Sequence, residues 1–208
     1  MSSERPNVPE TMLRLAKKEG VGQIAVEEAP VPALKPHEIL VRTRASLISR
    51  GSELGGRYLK EEQVDPIRIG YSAGGEVVAL GRDVHQYKLG DRVFVVGPHA
   101  QYVVADAAKQ DEGLFRCKNL GERLSYEVGA FLALLTAAVG WVDTVEIQAG
   151  ETVVVLGQGI VGSLMTQVAL AGRDITVIAV DHLPLRCEFA KRIGADVVIN
   201  GSEQDVVE

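Results

Sequence analysis

The chain is short of several things, and each shortage excludes something. It has two cysteines, Cys117 and Cys187, in 208 residues. Two cannot build a disulfide framework or a four-cysteine zinc lobe. Cys187 falls in a helical pattern, which suits a small packed residue better than a ligand. Long apolar runs are missing too. The longest, Val128 to Val142, is too short and too interrupted by glycine to span a bilayer. The first residues, Met1 to Glu10, are polar, contain Pro6 and Pro9, and lack the apolar core of a signal peptide. Basic charge is not in excess. The net charge is −6 at pH 7 with no Lys/Arg cluster, which argues against a nucleic-acid surface. What remains, 46% hydrophobic and 24% charged residues, is ordinary globular composition for one large domain or two small ones. These features predict a soluble cytoplasmic protein with neither a membrane nor a nucleic acid as partner. No internal repeat or low-complexity tract is present.

The most informative stretch is Glu151-Thr-Val-Val-Val-Leu-Gly-Gln-Gly-Ile-Val-Gly162. It reads as a strand, a glycine turn and a helix start. Val153 to Leu156 is a β-branched run of the kind buried on both faces of a parallel sheet. Val161, Leu164, Met165 and Val168 then recur at helical spacing. Gly172 stops that helix, and Ile175 to Val180 is a second apolar run ending at Asp181. Asp181 follows Gly162 by about 20 residues, as a dinucleotide-binding fingerprint requires.

Each part has a physical task. Gly157 lets the chain turn off the strand. Gly159 leaves room for a pyrophosphate, and Gly162 lets the helix pack closely. The helix start at Ile160 and Val161 offers free N–H groups and a partial positive charge to phosphates. Asp181 is placed to accept hydrogen bonds from ribose hydroxyls and to repel a 2′-phosphate, which predicts NAD. Arg186 leaves NADP open, because a nearby cation accommodates that phosphate. Asp181 also lies just before Pro184, so an N-cap role is compatible.

The two parts of the chain differ in period. Up to about Asn119 it reads as short strands and turns, among them Glu38 to Ala45 with period-two alternation, Gly75 to Gly81 and Arg92 to Val96. Many short strands at close spacing predict a small β-barrel. Tyr126 to Val142 reads as one long apolar helix. Strand–helix alternation follows, with a helix opened by Pro184 that carries Leu185, Phe189 and Ile193 on one face. Gly194 ends it, and Val197 to Ile199 is a third strand. That alternation predicts a parallel, doubly wound sheet.

Gly75-Glu-Val-Val-Ala-Leu-Gly-Arg-Asp-Val-His-Gln-Tyr-Lys-Leu-Gly-Asp-Arg-Val93 resembles a signature of the medium-chain dehydrogenase/reductase family. Gln101-Tyr-Val-Val-Ala-Asp106 and Gly194-Ala-Asp-Val197 also match family patterns, so the resemblance covers nearly the whole chain. Ser46-Leu-Ile-Ser-Arg-Gly-Ser-Glu53, followed by Gly70-Tyr-Ser-Ala73, is similar to a subgroup that includes bacteriochlorophyllide dehydrogenase-like and bi-domain oxidoreductases. The resemblance implies a GroES-like β-barrel catalytic domain over 1–125, a connecting helix over 126–143, and the first half of a Rossmann sheet over 144–208. It puts the active site in the cleft between the domains.

Zinc-dependent members carry a cysteine where this chain has Arg50, and Gly-His-Glu where it has Gly70-Tyr71-Ser72. Counting back from Gly150, the third ligand position falls near Ala133. His37, His85, His99 and His182 sit outside the ligand positions. A direct Gly97-Pro98-His99-Ala100 connection takes the place of the structural-zinc lobe. No metal is expected on these donors. Hydride transfer then needs a hydrogen-bond donor where negative charge develops on substrate oxygen. Tyr71, Ser52 and Arg50 occupy positions that face the cleft in the family. Tyr71 replaces the histidine ligand, Ser52 matches a proton-relay hydroxyl, and Arg50 is placed to hold an anion.

The expectation is an NAD(P)-dependent, zinc-independent oxidoreductase acting on an alcohol/carbonyl pair. The alternatives are a quinone or enoyl (C=C) reductase and a non-catalytic cofactor-binding or scaffold module. A homo-oligomer fits the resemblance, since members are commonly dimers or tetramers. The chain stops just after the third strand of the nucleotide domain, which predicts a fragment of a longer product. Strand 1 would then lack cover on its far edge, and the fragment would bind cofactor weakly and catalyse poorly.

Overall fold

Two short strands, Thr11–Lys17 (β1) and Ile24–Pro30 (β2), pair as an antiparallel hairpin in the computed structural model. The structure describes residues 8–107, 117–204 and 206. The polar start read above, as far as Asn7, lies outside the described residues, as does Glu208. The chain divides into two compact units, Met1–Ala133 and Leu134–Glu208.

The first unit is built on a five-stranded antiparallel sheet. Its strands are β3 (Glu38–Ser46), β4 (Ala73–Leu80), β5 (Arg92–Val95), β6 (Tyr102–Asp106) and β7 (Cys117–Asn119), in the order β6-β3-β4-β5-β7. The register of β3 on β4 shifts between Leu40 and Val41 and again between Thr43 and Ala45. Such shifts bend a strand and increase its twist, so the sheet curls. The expected barrel is thus an open half-barrel, with β6 and β7 at its edges among the described residues. The hairpin docks on the segment before β6: Leu15 N donates to His99 O at 2.9 Å, and Gln101 N to Leu13 O at 2.9 Å.

That docking corrects the simple alternation read for β3. Ile39, Leu40 and Val41 are all fully buried. Ile39 and Val41 pack with Val77, Val93, Val95 and Val103 on one side. Leu40 packs with Met12, Ala100 and Tyr102 on the other. Both faces are covered at this end, so hydrophobic residues follow one another without a polar interval.

The single helix expected over 126–142 is two helices, α2 (Tyr126–Gly129) and α3 (Leu132–Thr144), after a short α1 (Arg50–Glu53) earlier in the chain. Ser125 caps α2 by accepting from Val128 N at 3.2 Å. The break has a tertiary cause. Ser72 Oγ donates to Ala130 O at 2.5 Å, so that carbonyl is engaged from outside the helix.

The second unit holds a parallel three-stranded sheet, β10-β9-β8, from β8 (Thr152–Leu156), β9 (Thr176–Asp181) and β10 (Val197–Asn200). Helices α4 (Ile160–Leu170) and α5 (Pro184–Arg192) connect them. Val155 and Val177 form its core with Val142 and Ala169. The expectation of burial on both faces fails for β8. Val154 is 53% exposed and Leu156 is 74% exposed, because the packed residues Val153 and Val155 alternate with them along the strand. The predicted face of α5 also changes. Leu185 is 78% exposed, while Cys187 and Ala190 are buried. Small side chains let the helix approach β9 and β10 closely, and larger ones point outward.

Ile39→Ala removes a wholly buried branched side chain from the half-barrel core. It is expected to cost about 2–5 kcal/mol, read as a lower urea-denaturation midpoint. An unchanged midpoint would contradict the packing described.

Candidate functional site

The glycine turn lies between β8 and α4. Gly157 has φ +86°, a left-handed conformation that glycine adopts without strain. A Cβ on Gly162 would lie 1.8 Å from Gly157 O, so the helix can pass over the turn only without a side chain there. A Cβ on Gly157 or Gly159 would meet nothing within 4 Å. The turn is therefore open above and tight below. Helix α4 starts at Ile160 and Val161 with no side-chain cap, which leaves its first amide groups for other partners.

The turn is held from beneath by a residue the fingerprint leaves unspecified. Gln158 is buried. Its side-chain amide donates to Val155 O at 3.2 Å, and its Oε1 accepts from Thr166 Oγ1 at 3.2 Å. Ser163 Oγ donates to Gln158 O at 3.1 Å. The polar positions Ser163 and Thr166 among the apolar ones of α4 were the available signal.

Asp181 meets the same turn. Its Oδ2 accepts from Gln158 N at 2.7 Å, and its Oδ1 from Leu183 N at 2.9 Å. Arg186 Nη1 lies 3.4 Å from Oδ2. Burial pushes this carboxyl up, but the Leu183 and Gln158 amides and the Arg186 guanidinium outweigh it and hold it below the usual range. The structure thus brings Gly157, Gly159, Gly162, Asp181 and Arg186 together around one turn. Both carboxylate oxygens engage the chain's own amides, and Arg186 is the more exposed member of the pair, with 36% of its side chain accessible against 2%.

In the first unit two of the three cleft candidates share one short helix and the third lies in a separate segment. Arg50 and Ser52 are exposed on α1. Tyr71 is half-buried beside Phe94, Val96, Leu120 and Tyr126. Arg57 stands over its ring, 5.7 Å from the centroid. No hydrogen bond joins Arg50, Ser52 and Tyr71 among the described residues.

Sequence reading missed the strongest polar cluster of this unit. Glu53 is wholly buried. Its Oε1 accepts from Ser49 N at 2.9 Å. Its Oε2 accepts from the Tyr58 hydroxyl and lies 2.9 Å from His99 Nε2. His99 Nδ1 lies 2.9 Å from Ser46 Oγ. Burial, then the bond to Glu53, pushes the Tyr58 phenol far up, so it stays protonated and donates. Glu53 and His99 stand 46 positions apart, so no local pattern links them. The thiol of Cys117 is pushed up to about 11 by burial and is no ready nucleophile.

Comparison with known proteins bears on the family and the fold. The alcohol dehydrogenase GroES-like domain matches residues 35–173. A sorbitol dehydrogenase of Bacillus subtilis (strain 168) is 30% identical over 97% of this chain and 64% of its own length. A candidate zinc-binding dehydrogenase of Sinorhizobium meliloti 1021, solved bound to NADP, superposes with a TM-score of 0.79 at 25% identity, covering 95% of this chain and 64% of that one. A quinone oxidoreductase from Coxiella burnetii shares the fold with a TM-score of 0.73 at 22% identity, covering 95% and 64%. The chain belongs to the alcohol dehydrogenase-like medium-chain dehydrogenase/reductase family, a family of oxidoreductase enzymes. It spans slightly under two thirds of the length of these relatives.

Tyr58→Phe strips a donor from a buried carboxylate and is expected to cost about 1.5–3 kcal/mol. His99→Leu removes the ring's hydrogen bond to that carboxylate and is likewise expected to cost about 1.5–3 kcal/mol. Urea denaturation of both variants checks the pair, and parental midpoints would refute the network's role. Asp181 titrates lower folded than unfolded, so its contribution to stability is complete above about pH 4 and lost as pH falls through the folded value. Asp181→Asn is therefore expected to be less stable than the parent at neutral pH, with the gap closing in acid. A gap independent of pH would exclude the carboxylate charge as the cause.

Proposed function

We propose that this chain carries the substrate-binding unit and the first half of the cofactor unit of an NAD(P)-dependent, zinc-independent oxidoreductase acting on an alcohol/carbonyl pair. The observation that carries the proposal is the turn at Gly157–Gly162, open above and uncapped at the start of α4. The amides of Ile160, Val161 and Gly162 would receive the cofactor's pyrophosphate. Gly159 would let it approach. When bound, a nicotinamide cofactor supplies or accepts the hydride.

Asp181 acts on the adenosine end. Its charge repels a 2′-phosphate, while Arg186 at its edge attracts one. The carboxylate holds that guanidinium at 3.4 Å and partly neutralises it, which favours NAD over NADP.

Donor chemistry supports zinc independence. The positions corresponding to the family's ligands carry a guanidinium (Arg50), a phenol beneath Arg57 (Tyr71) and an alanine (Ala133). Ser72 spends its hydroxyl on Ala130 O. No group of three or more His, Cys, Asp or Glu gathers among the described residues. This set does not suit Zn²⁺, which requires three or four converging soft or anionic donors. Tyr71 is then the candidate donor to the substrate oxygen. Ser52 is the candidate proton-relay hydroxyl, and Arg50 is a candidate cation for an anionic substrate or an oxyanion.

Fluorescence titration of the purified chain with NADH and NADPH tests the reading. NADH is expected to bind more tightly, and Asp181→Ala is expected to erase most of that preference. Equal preference in parent and variant would remove Asp181 from cofactor selection. Transfer of labelled hydride from NADH into a panel of ketones, quinones and enones then names the reaction class. Binding without transfer to any acceptor would favour a non-catalytic cofactor-binding module.

A further inference from the structure

The geometry points to a built anion site in the first unit: a cavity of about 470 Å³ lined by three arginines, Arg14, Arg57 and Arg68, together with Tyr71. It takes a small alcohol or carbonyl substrate that bears a terminal oxyanion, a phosphate or a carboxylate. The inference rests on the reading of Tyr71 as a substrate contact and adds the substrate's charge to it.

The charge balance is the first argument. The chain as a whole is acidic, at −6, yet this cavity gathers cations. Arg14 is paired with Glu27 at 2.8 Å, and Lys18 bonds the same carboxylate, so that cluster keeps a net positive charge. Arg57 and Arg68 form no ion pair among the described residues. The acidic residue nearest Arg68 in sequence, Asp65, accepts from Ile67 N at 3.1 Å and makes no ion pair with that arginine. An arginine fork offers several donors in one plane and grips carboxylates and phosphates through paired hydrogen bonds.

Rigidity is the second argument. Arg57 sits in a single π-type turn, Leu54–Tyr58, whose last residue is pinned by Glu53. Arg68 ends a 3-10 turn, Pro66–Arg68, with proline at its start and Asp65 as its cap. Ile69 follows it and is wholly buried against Tyr58 and Val64. Arg57 Nη1 also reaches Gly70 O at 3.4 Å. The backbones that carry both guanidiniums are therefore fixed before any ligand arrives, which lowers the entropy lost on binding.

Size and lining set the rest. The volume suits a small molecule. Met12, Val96, Pro98 and Tyr102 supply apolar wall for a carbon skeleton. Tyr71, with its phenol, lines the same cavity as the cations. An oxyanion held by Arg57 and Arg68 would leave the other end of a short polyol chain to that phenol.

Calorimetric titration of the purified 208-residue chain with sorbitol 6-phosphate, gluconate and sorbitol tests the site. At least one anionic probe is expected to bind about tenfold or more tightly than neutral sorbitol, the scale of one or two hydrogen bonds between charged groups. The tighter anion names the headgroup. Arg57→Gln with Arg68→Gln is expected to lose that margin, and Arg57→Lys alone to keep part of it. Circular dichroism shows whether the variants fold, and both positions lie outside the buried core. Equal binding of charged and neutral probes, no anion binding at millimolar concentration, or an unaffected double variant would each overturn the proposal. NADH titrated in parallel reports on the other unit. Anion binding without NADH binding would overturn the turn at Gly157–Gly162 as a cofactor site in this chain and leave the anion site standing, and the converse would overturn the anion site alone.

Discussion

Glu53 is a carboxylate removed from water, and the first unit is arranged around that fact. Burying an isolated charge costs far more than a domain of this size can absorb, so the charge persists only with several donors on it. It collects the Ser49 amide, the Tyr58 hydroxyl and the His99 ring. Each of those residues then commits a stretch of backbone. His99 N donates to Ile69 O at 2.6 Å, and His99 O accepts from Leu15 N. One buried carboxylate thus connects the turn that holds Arg57, the turn that holds Arg68, the strand β1 and the approach to Tyr71.

The second unit repeats the device on a smaller scale. Asp181 is buried, and its carboxylate ties the amide of Gln158, in the glycine turn, to the amide of Leu183, just before α5. The turn's shape therefore does not depend on a ligand. Gln158, Ser163 and Thr166 support it from below. On the proposed reading, a carboxylate that organises the turn and biases Arg186 acts on cofactor selection chiefly through its field. Its worth at the ribose depends on how much of its charge the amides and the guanidinium have already used.

What could be read from the sequence was local, and what could not was tertiary. The period of β8, α4 and β9, and the spacing from Gly162 to Asp181, depend on residues close in the chain, so they were legible. The break between α2 and α3 comes from Ser72, 58 positions from Ala130. The exposed Leu185 and buried Cys187 follow from how closely α5 approaches its sheet. The same limit explains Glu53. As part of Gly51-Ser52-Glu53 it could be seen only as a motif member, and its partner His99 carried no ligand pattern. Tyr71, Ser52 and Arg50 were read by position, and position gave their neighbourhood without giving their contacts.

A metal-free site must find its orienting force elsewhere, and this follows from transition-state binding. Zinc in a dehydrogenase both orients the substrate oxygen and stabilises charge on it. A phenol can donate to that oxygen but holds it by one hydrogen bond. The remaining orientation has to come from binding energy spent on parts of the substrate that do not react. On the proposed reading, Arg57 and Arg68 supply that energy at the substrate's far end, and Tyr71 acts at the near end. On that same reading, the non-ligating residues Arg50, Tyr71 and Ala133 and the cations around one cavity belong to one way of holding the substrate.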